Sequence, residues 1–182
     1  MTRDSPTRYP TAPLWRRMGA LMVDCLPAWI AGTLVGGGFL GFFILFAVVW
    51  AGLRIAVVHA YQGQSLGRWS FNLRLAEVAK GRSPSALKVA KREGIVGLAA
   101  AIAAYGMVQL IPTGGGSIVL TLPLIADCAI AGLDRDKQQA FHDRISRTVV
   151  VKSRRGYGLD RKFPNWWIQI RKWFVELGKD VE

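Results

Sequence analysis

Cysteine and histidine are scarce in this chain of 182 residues, two of each, and acidic residues number 12 against 24 lysines and arginines. With so few soft ligands no zinc spacing is formed, and Cys25 and Cys128 both fall inside apolar runs, where a thiol behaves as a small hydrophobe. His59 and His142 are far apart in sequence, and neither has a nucleophile beside it. No paired nucleophile and base, metal-ligand set or phosphate loop is formed, so the chain is not expected to be an enzyme or to hold a cofactor or metal.

Charge is also missing from two long stretches. Residues 18–61 and 94–133 hold three formally charged side chains, Asp24, Arg54 and Asp127, while the chain as a whole carries a net charge of +12 and is 51% hydrophobic. A basic chain first suggests nucleic acid. Here the basic residues flank apolar runs too long for a soluble fold, which is what membrane topology demands, so no nucleic-acid partner is expected.

Gly36-Gly37-Gly38 divides the first block into about 18–36 and 39–60, and Pro112-Thr113-Gly114-Gly115-Gly116 divides the second into about 94–111 and 117–133. At 1.5 Å per residue each piece approaches the ~30 Å hydrocarbon thickness of a bilayer. Ser83-Pro84 reads as the N-cap and first turn of the third helix, with Lys88, Lys91 and Arg92 snorkelling at the interface before it enters the bilayer. Four basic residues precede the first run, seven lie between 62 and 94, and twelve follow 134, whereas the glycine turns carry none. The positive-inside rule therefore puts both termini in the cytoplasm. The predicted fold is an all-α membrane protein, a four-helix transmembrane bundle with a small cytoplasmic β element and a C-terminal amphipathic helix. The β element is expected from Phe71, Leu73 and Leu75, alternating with Asn72 and Arg74, pairing with Val149-Val150-Val151; two solvated loops are the alternative.

The organisation read from the sequence is a cytoplasmic segment 1–13, a transmembrane domain 14–152 and a basic tail 153–182. In the tail, Trp166, Trp167, Ile170, Trp173, Phe174 and Leu177 share one helical face, with Arg171 and Lys172 opposite. That pattern describes an interfacial helix on anionic lipid, or one packed on the protein's own sheet or on a partner.

Asp24, Arg54 and Asp127 each lie seven residues from a cytoplasmic rim marked by Arg17, Tyr61 and Asp134, ~10 Å deep. Charges at one depth avoid lipid, where each costs about 2.5–3.5 kcal/mol on the mildest scale, so the three are expected to form one buried cluster. Arg54 would neutralise one aspartate and leave the other to bind a cation or a proton. Arg17, two helical turns before Asp24, would stand at the cluster's mouth.

Three segments resemble the RDD family of bacterial membrane proteins. Arg16-Arg17-Met18-Gly19-Ala20-Leu21-Met22-Val23-Asp24 resembles its opening helix, Gly63-Gln64-Ser65-Leu66-Gly67-Arg68 its G-x-[ST]-x-G-[KR] segment, and Leu133-Asp134-Arg135 through His142-Asp143-Arg144 its closing segment. Their order and spacing agree over roughly 14–152. The resemblance assigns the family's arginine and aspartates to Arg17, Asp24 and Asp143, and places Gly63, Gly67, Arg68 and His142 in the cytoplasmic motifs. It implies a multi-pass protein of the bacterial cytoplasmic membrane, with a thylakoid or other internal membrane as the alternative. Transport of unidentified ligands, with cation/proton exchange in some members, is what the resemblance implies of activity. Two functions from different classes are carried forward: an oligomeric ion- or proton-coupled transporter, and a non-catalytic accessory subunit of a larger membrane complex.

Overall fold

The computed structural model describes residues 11–159 apart from 36, 80, 111, 114 and 135–137. The tail positions Trp166, Trp167, Ile170, Trp173, Phe174 and Leu177 lie outside the described residues.

Helix α1, Leu14–Val35, runs into a turn where Gly37 and Gly38 adopt φ of 59° and 132°, a region side chains disfavour, so the glycines end the helix and reverse the chain. Helix α2, Phe39–Ala60, follows; within it Gly52–Ala56 winds as a π-helix. A short helix α3, Leu66–Ser70, leads into strand β1, Leu73–Glu77. Helix α4 is Ala86–Val108. Helix α5, Gly116–Leu133, opens with a 3-10 stretch and becomes α-helical at Leu122, with Pro123 in its first turn. Helix α6, Phe141–Ser146, and strand β2, Thr148–Lys152, complete the described fold.

Three helices, α1, α2 and α5, are long and apolar enough to cross a membrane. Their outer faces carry large apolar side chains such as Leu34, Phe39, Leu40 and Val48 exposed. That surface suits lipid and not water. Helix α4 differs because Lys91, Arg92 and Glu93 interrupt it before its apolar stretch. It is the inner helix of the bundle, burying Val89, Val96, Ala100, Ala101 and Ala104. Small residues let its neighbours close in: a β-carbon on Gly97 would lie 2.5 Å from Nε1 of Trp50 in α2. Likewise Gly32 of α1 meets the Phe42 ring, so this glycine serves packing within the bundle.

The strands pair antiparallel, with Leu73 opposite Lys152, Leu75 opposite Val150 and Glu77 opposite Thr148. Thr11 bridges to Val151 on the other side of β2. Both faces of β2 are covered, Val150 packing with Leu73, Leu75 and Val89 and Val149 and Val151 with Ala76 and Val78, which accounts for a continuous β-branched run where alternation would mark a half-exposed strand. The pairing expected from the sequence is present, with one boundary corrected. Phe71 and Asn72 form a turn, Asn72 at φ 56°, and Phe71 points at Gly19 of α1 instead of extending the strand. The start of the third helix is corrected too: Ser85 occupies the N-cap position and Pro84 lies before it.

Two apolar cores form along these helices. One gathers Ala28, Phe42, Phe46, Trp50, Val96 and Ala100; the other gathers Ala20, Val58, Leu73, Leu75, Val89 and Val150 beneath the sheet. On α1 the inward stripe reads Ala20, Asp24, Ala28; on α2 Trp50, Arg54, Val58; on α4 Val89, Glu93, Val96. On each helix the charged residue therefore falls between the two cores, about one turn from either.

Candidate functional site

Between the cores lies a layer of ionised side chains. Arg54, carried on the π-helical turn of α2, donates from Nη1 to Asp24 Oδ2 at 2.8 Å and from Nε to Glu93 Oε2 at 2.7 Å. Its guanidinium also lies 4.8 Å from the centre of the Trp50 ring, whose Nε1 donates to the Glu93 carbonyl at 3.1 Å. A π-helical turn re-aims side chains relative to the regular spiral, which fits its place at the one arginine of this span.

The segment Gly63–Arg68 is built onto Asp24. Ser65 is the N-cap of α3, accepting from the Arg68 backbone N–H at 3.3 Å, while its hydroxyl donates to Asp24 Oδ2 at 2.6 Å. The Gly67 N–H donates to Asp24 Oδ1 at 2.7 Å. Gly63, at φ 94°, takes a conformation closed to most side chains, and any β-carbon there would meet Leu75 O at 2.5 Å. Arg68 turns inward to contact Glu93 Oε1, and Arg92 contacts the same oxygen.

A second half of the layer forms around α6. Arg92 Nε donates to Asp143 Oδ1 at 2.7 Å, and Thr148 Oγ1 reaches the same oxygen at 3.4 Å. Arg17 approaches Asp143 Oδ2 at 3.7 Å while donating to Ala12 O at 3.0 Å and Val150 O at 3.1 Å, so one guanidinium joins α1 to β2 and to the layer. Asp127 accepts the His142 backbone N–H at 3.1 Å and pairs through Oδ2 with His142 Nδ1. The other imidazole nitrogen, Nε2, lies 3.6 Å from Asp143 Oδ1.

Of the residues singled out in the sequence, Asp24 and Arg54 are joined directly, and Arg17 stands beside Asp143. Asp127 is the correction: it does not bond Arg54, and reaches the layer through His142 and Asp143. The divergence follows from Glu93, one residue before the apolar block 94–133, which lies on the inner stripe of α4 and takes up Arg54 together with Asp24. Arg92, expected to snorkel, is also buried, 4% exposed, whereas Lys91 is exposed and Lys88 pairs with Glu77 at the sheet. The signal for Glu93 was present in its spacing from Val89 and Val96. His59 is exposed near the end of α2.

Among the described residues the layer holds four carboxylates, Asp24, Glu93, Asp127 and Asp143, and four guanidiniums, Arg17, Arg54, Arg68 and Arg92; Asp127 alone of the acids pairs with His142 instead of an arginine. With His142 neutral the layer is electrically balanced. Burial alone would push the Glu93 carboxyl up, but Arg54, Arg68 and Arg92 outweigh it and hold it well below the usual carboxylate range. Burial of Asp143 is likewise outweighed by the arginines, Arg92 first and then Arg17, which hold it low. Desolvation of Arg92 is outweighed by Asp143 and Glu93, which raise it. Arg68, buried and crowded by Arg54, falls to about 10 and stays charged at neutral pH. Among the described residues no cluster of three or more histidine, cysteine, aspartate or glutamate side chains is arranged to hold a metal.

Arg17, Arg54, Arg92, His142 and Asp143 line a cavity of about 50 Å³ together with apolar residues that include Leu21, Cys128 and Ala131. At ~10–15 Å³ per water it has room for a few water molecules or one small ion.

Compared with known proteins, residues 11–147 match the family described as the RDD family, a stretch that contains every ionised residue of the layer. No curated protein and no solved structure matches the chain.

Proposed function

The chain belongs to the RDD family, and on that premise we propose that it is a four-span protein of a cytoplasmic membrane that moves an ion coupled to a proton, as an oligomer, through the ionised layer. In this reading α4 is the fourth span, entering the bilayer past Glu93, and both termini and the sheet are cytoplasmic. The observation that carries the coupling is the Asp127 and His142 pair. Every other acid in the layer is paired with arginine, whose charge is fixed at neutral pH. His142 is the one residue of the layer whose side chain ordinarily changes charge near neutrality, so a proton enters or leaves there without dismantling the arginine pairs. Four helices leave little room for a pathway within one protomer, which is the reason for an oligomer.

A second reading, a non-catalytic subunit of a larger membrane complex, is favoured by the aromatic and basic sequence of the tail. Flux separates the two. In liposomes holding the purified protein, a proton gradient should drive ion uptake, and His142→Gln should abolish it while the protein still inserts. No flux, together with a stoichiometric partner retained in mild detergent, would instead establish the subunit. Topology is measured with reporter fusions: Gly37 and Gly115 should read outside, and Gly81 and the position after Lys152 inside. A cytoplasmic signal at Gly115 would overturn the four-span arrangement.

A further inference from the structure

The cavity beside His142 has a composition that neither the sequence motifs nor the coupling argument uses. Its lining includes three arginines, Arg17, Arg54 and Arg92, beside His142 and Asp143, and the remainder is hydrocarbon and the Cys128 thiol. Of Arg92's donors, Nε serves Asp143 and Nη1 serves Glu93, which leaves Nη2 without a hydrogen-bond partner among the described residues. Arg92 is 4% exposed, and an unused guanidinium donor at that depth is costly unless something in the cavity accepts from it. The one carboxylate on the wall, Asp143, is already held by Arg92 Nε at 2.7 Å and lies 3.7 Å from Arg17 Nη1, so its charge is offset by neighbours and does not command the cavity.

Charge decides what else the cavity admits. The layer is balanced with a neutral imidazole, so a cation entering here would face three guanidiniums and leave the layer in positive excess. A monovalent anion leaves it one charge negative, and one proton on His142 restores the balance. Nε2 is the atom available for that proton, since Nδ1 is engaged by Asp127. The groups facing His142 are Asp127 from α5, Asp143 from its own helix, and Arg92 and Arg17 across the cavity from α4 and α1. A proton arriving on the ring therefore meets two carboxylates, and the bound anion adds a third negative neighbour.

We propose that this cavity binds a small monovalent anion of chloride size, received by Arg92 Nη2, together with a proton on Nε2 of His142. The inference rests on the reading of His142 as the proton-accepting group, but it concerns binding, which is measured in detergent without flux, so a failure of binding and a failure of transport are separate results.

The test is a thermal-unfolding titration of the purified full-length protein at constant ionic strength, exchanging sodium gluconate for sodium chloride or bromide at about pH 6 and about pH 8. Chloride and bromide should raise Tm saturably while gluconate, too large for the cavity, does not. The apparent Kd should weaken with rising pH, approaching about tenfold per unit because one proton accompanies each anion. Ala131→Leu extends an apolar side chain into the cavity and should remove the halide response. His142→Gln keeps an amide to serve Asp127 but cannot take up the proton, so any remaining halide affinity should lose its pH dependence. Bromide-soaked crystals provide a readout that needs no variant, with anomalous density expected beside Arg92. Equal Tm in chloride and gluconate at both pH values would overturn the proposal, as would bromide found only outside the cavity. A halide response unchanged in a folded Ala131→Leu protein would do the same.

Discussion

Gly67 lies so close to α1 that a β-carbon placed on it would stand 2.0 Å from the Ala20 carbonyl oxygen and 3.0 Å from the Asp24 carboxyl carbon. That approach is what lets the Gly67 N–H reach Asp24 Oδ1 at 2.7 Å. Gly67→Ala should therefore force α3 away from α1 and break a charge-assisted bond together. Overpacking costs about 1–3 kcal/mol, and a hydrogen bond to a charged group adds about 1.5–3 kcal/mol. Gly94→Ala is the comparison, since a β-carbon there meets nothing within 4 Å and alanine favours helix. In detergent-solubilised protein, Gly67→Ala should lower Tm sharply and Gly94→Ala should not; equal tolerance would mean that α3 does not dock as described.

Two glutamates pair with cations in very different surroundings. Glu93 is fully buried against Arg54, Arg68 and Arg92, whereas the Glu77 pair with Lys88 sits at the sheet with the lysine side chain 35% exposed. Removing one partner of a buried ion pair costs about 3–5 kcal/mol because the remaining charges lose their counter-ion. Exposed pairs contribute about 0–1 kcal/mol. Glu93→Gln should accordingly prevent accumulation of folded protein, and Glu77→Gln, at a side chain that is 13% exposed, should lower Tm far less. Size-exclusion profiles of the two variants measure this directly, and a monodisperse Glu93→Gln protein of unaltered Tm would contradict it.

How much of this layer was legible in sequence differs by residue. The depth of Asp24 and Arg54 followed from counting back to their rims, and their contact follows from that shared level. The motif glycines were recognisable as a pattern, but their reason, Gly67 against Ala20 and Gly63 against Leu75, is a distance between segments that no local signal encodes. Glu93 is harder to read, because an acid at the edge of an apolar run is ordinarily solvated, and only the inward stripe of Val89, Glu93 and Val96 shows that it is not. Asp127 was assigned the wrong partner for a related reason. Depth places a charge at a level but says nothing of its azimuth, and α5 presents Asp127 to α6 instead of to α2. The sheet was legible from its β-branched run, and its turn was not, because Asn72 at positive φ interrupts an otherwise regular alternation.

Acid should unfold the protein through two residues. Glu93 and Asp143 are both held below the ordinary carboxylate range when folded, by arginines that outweigh the effect of burial. The unfolded chain then binds protons more tightly than the folded one. Their contribution to stability is fully present above the unfolded value of about 4 and is lost as pH falls below it, toward the lower folded values. In gluconate, Tm should hold nearly level from neutral pH down to about 5 and then decline steeply. A Tm that rises below about pH 4 would reverse the sign and remove Glu93 and Asp143 from the account.

Asp24 and Asp127 were placed at the same depth, but their surroundings make opposite demands. Asp24 is 0% exposed and accepts from Arg54, Ser65 and the Gly67 backbone, so three segments converge on two oxygens. An asparagine there keeps one acceptor, turns an amide toward a donor, and strips Arg54 of half its counter-charge. Asp24→Asn should therefore lose folded protein, as a residue that binds the bundle together. Among the described residues Asp127 accepts from one only, through the backbone and ring of His142, and no arginine among them bonds it. The amide introduced by Asp127→Asn could still accept the backbone N–H through its carbonyl oxygen, so that variant should assemble. What it loses is the carboxylate oxygen that pairs with Nδ1 of His142. In the same liposome assay, assembled Asp127→Asn should show proton-driven uptake reduced by at least about tenfold, the scale of about 1.4 kcal/mol of lost charge pairing. Full uptake by this variant would remove the Asp127 and His142 pair from the coupling and return the layer to a purely structural role. A failure of Asp127→Asn to fold alongside a well-folded Asp24→Asn would invert the division of labour drawn from their contacts.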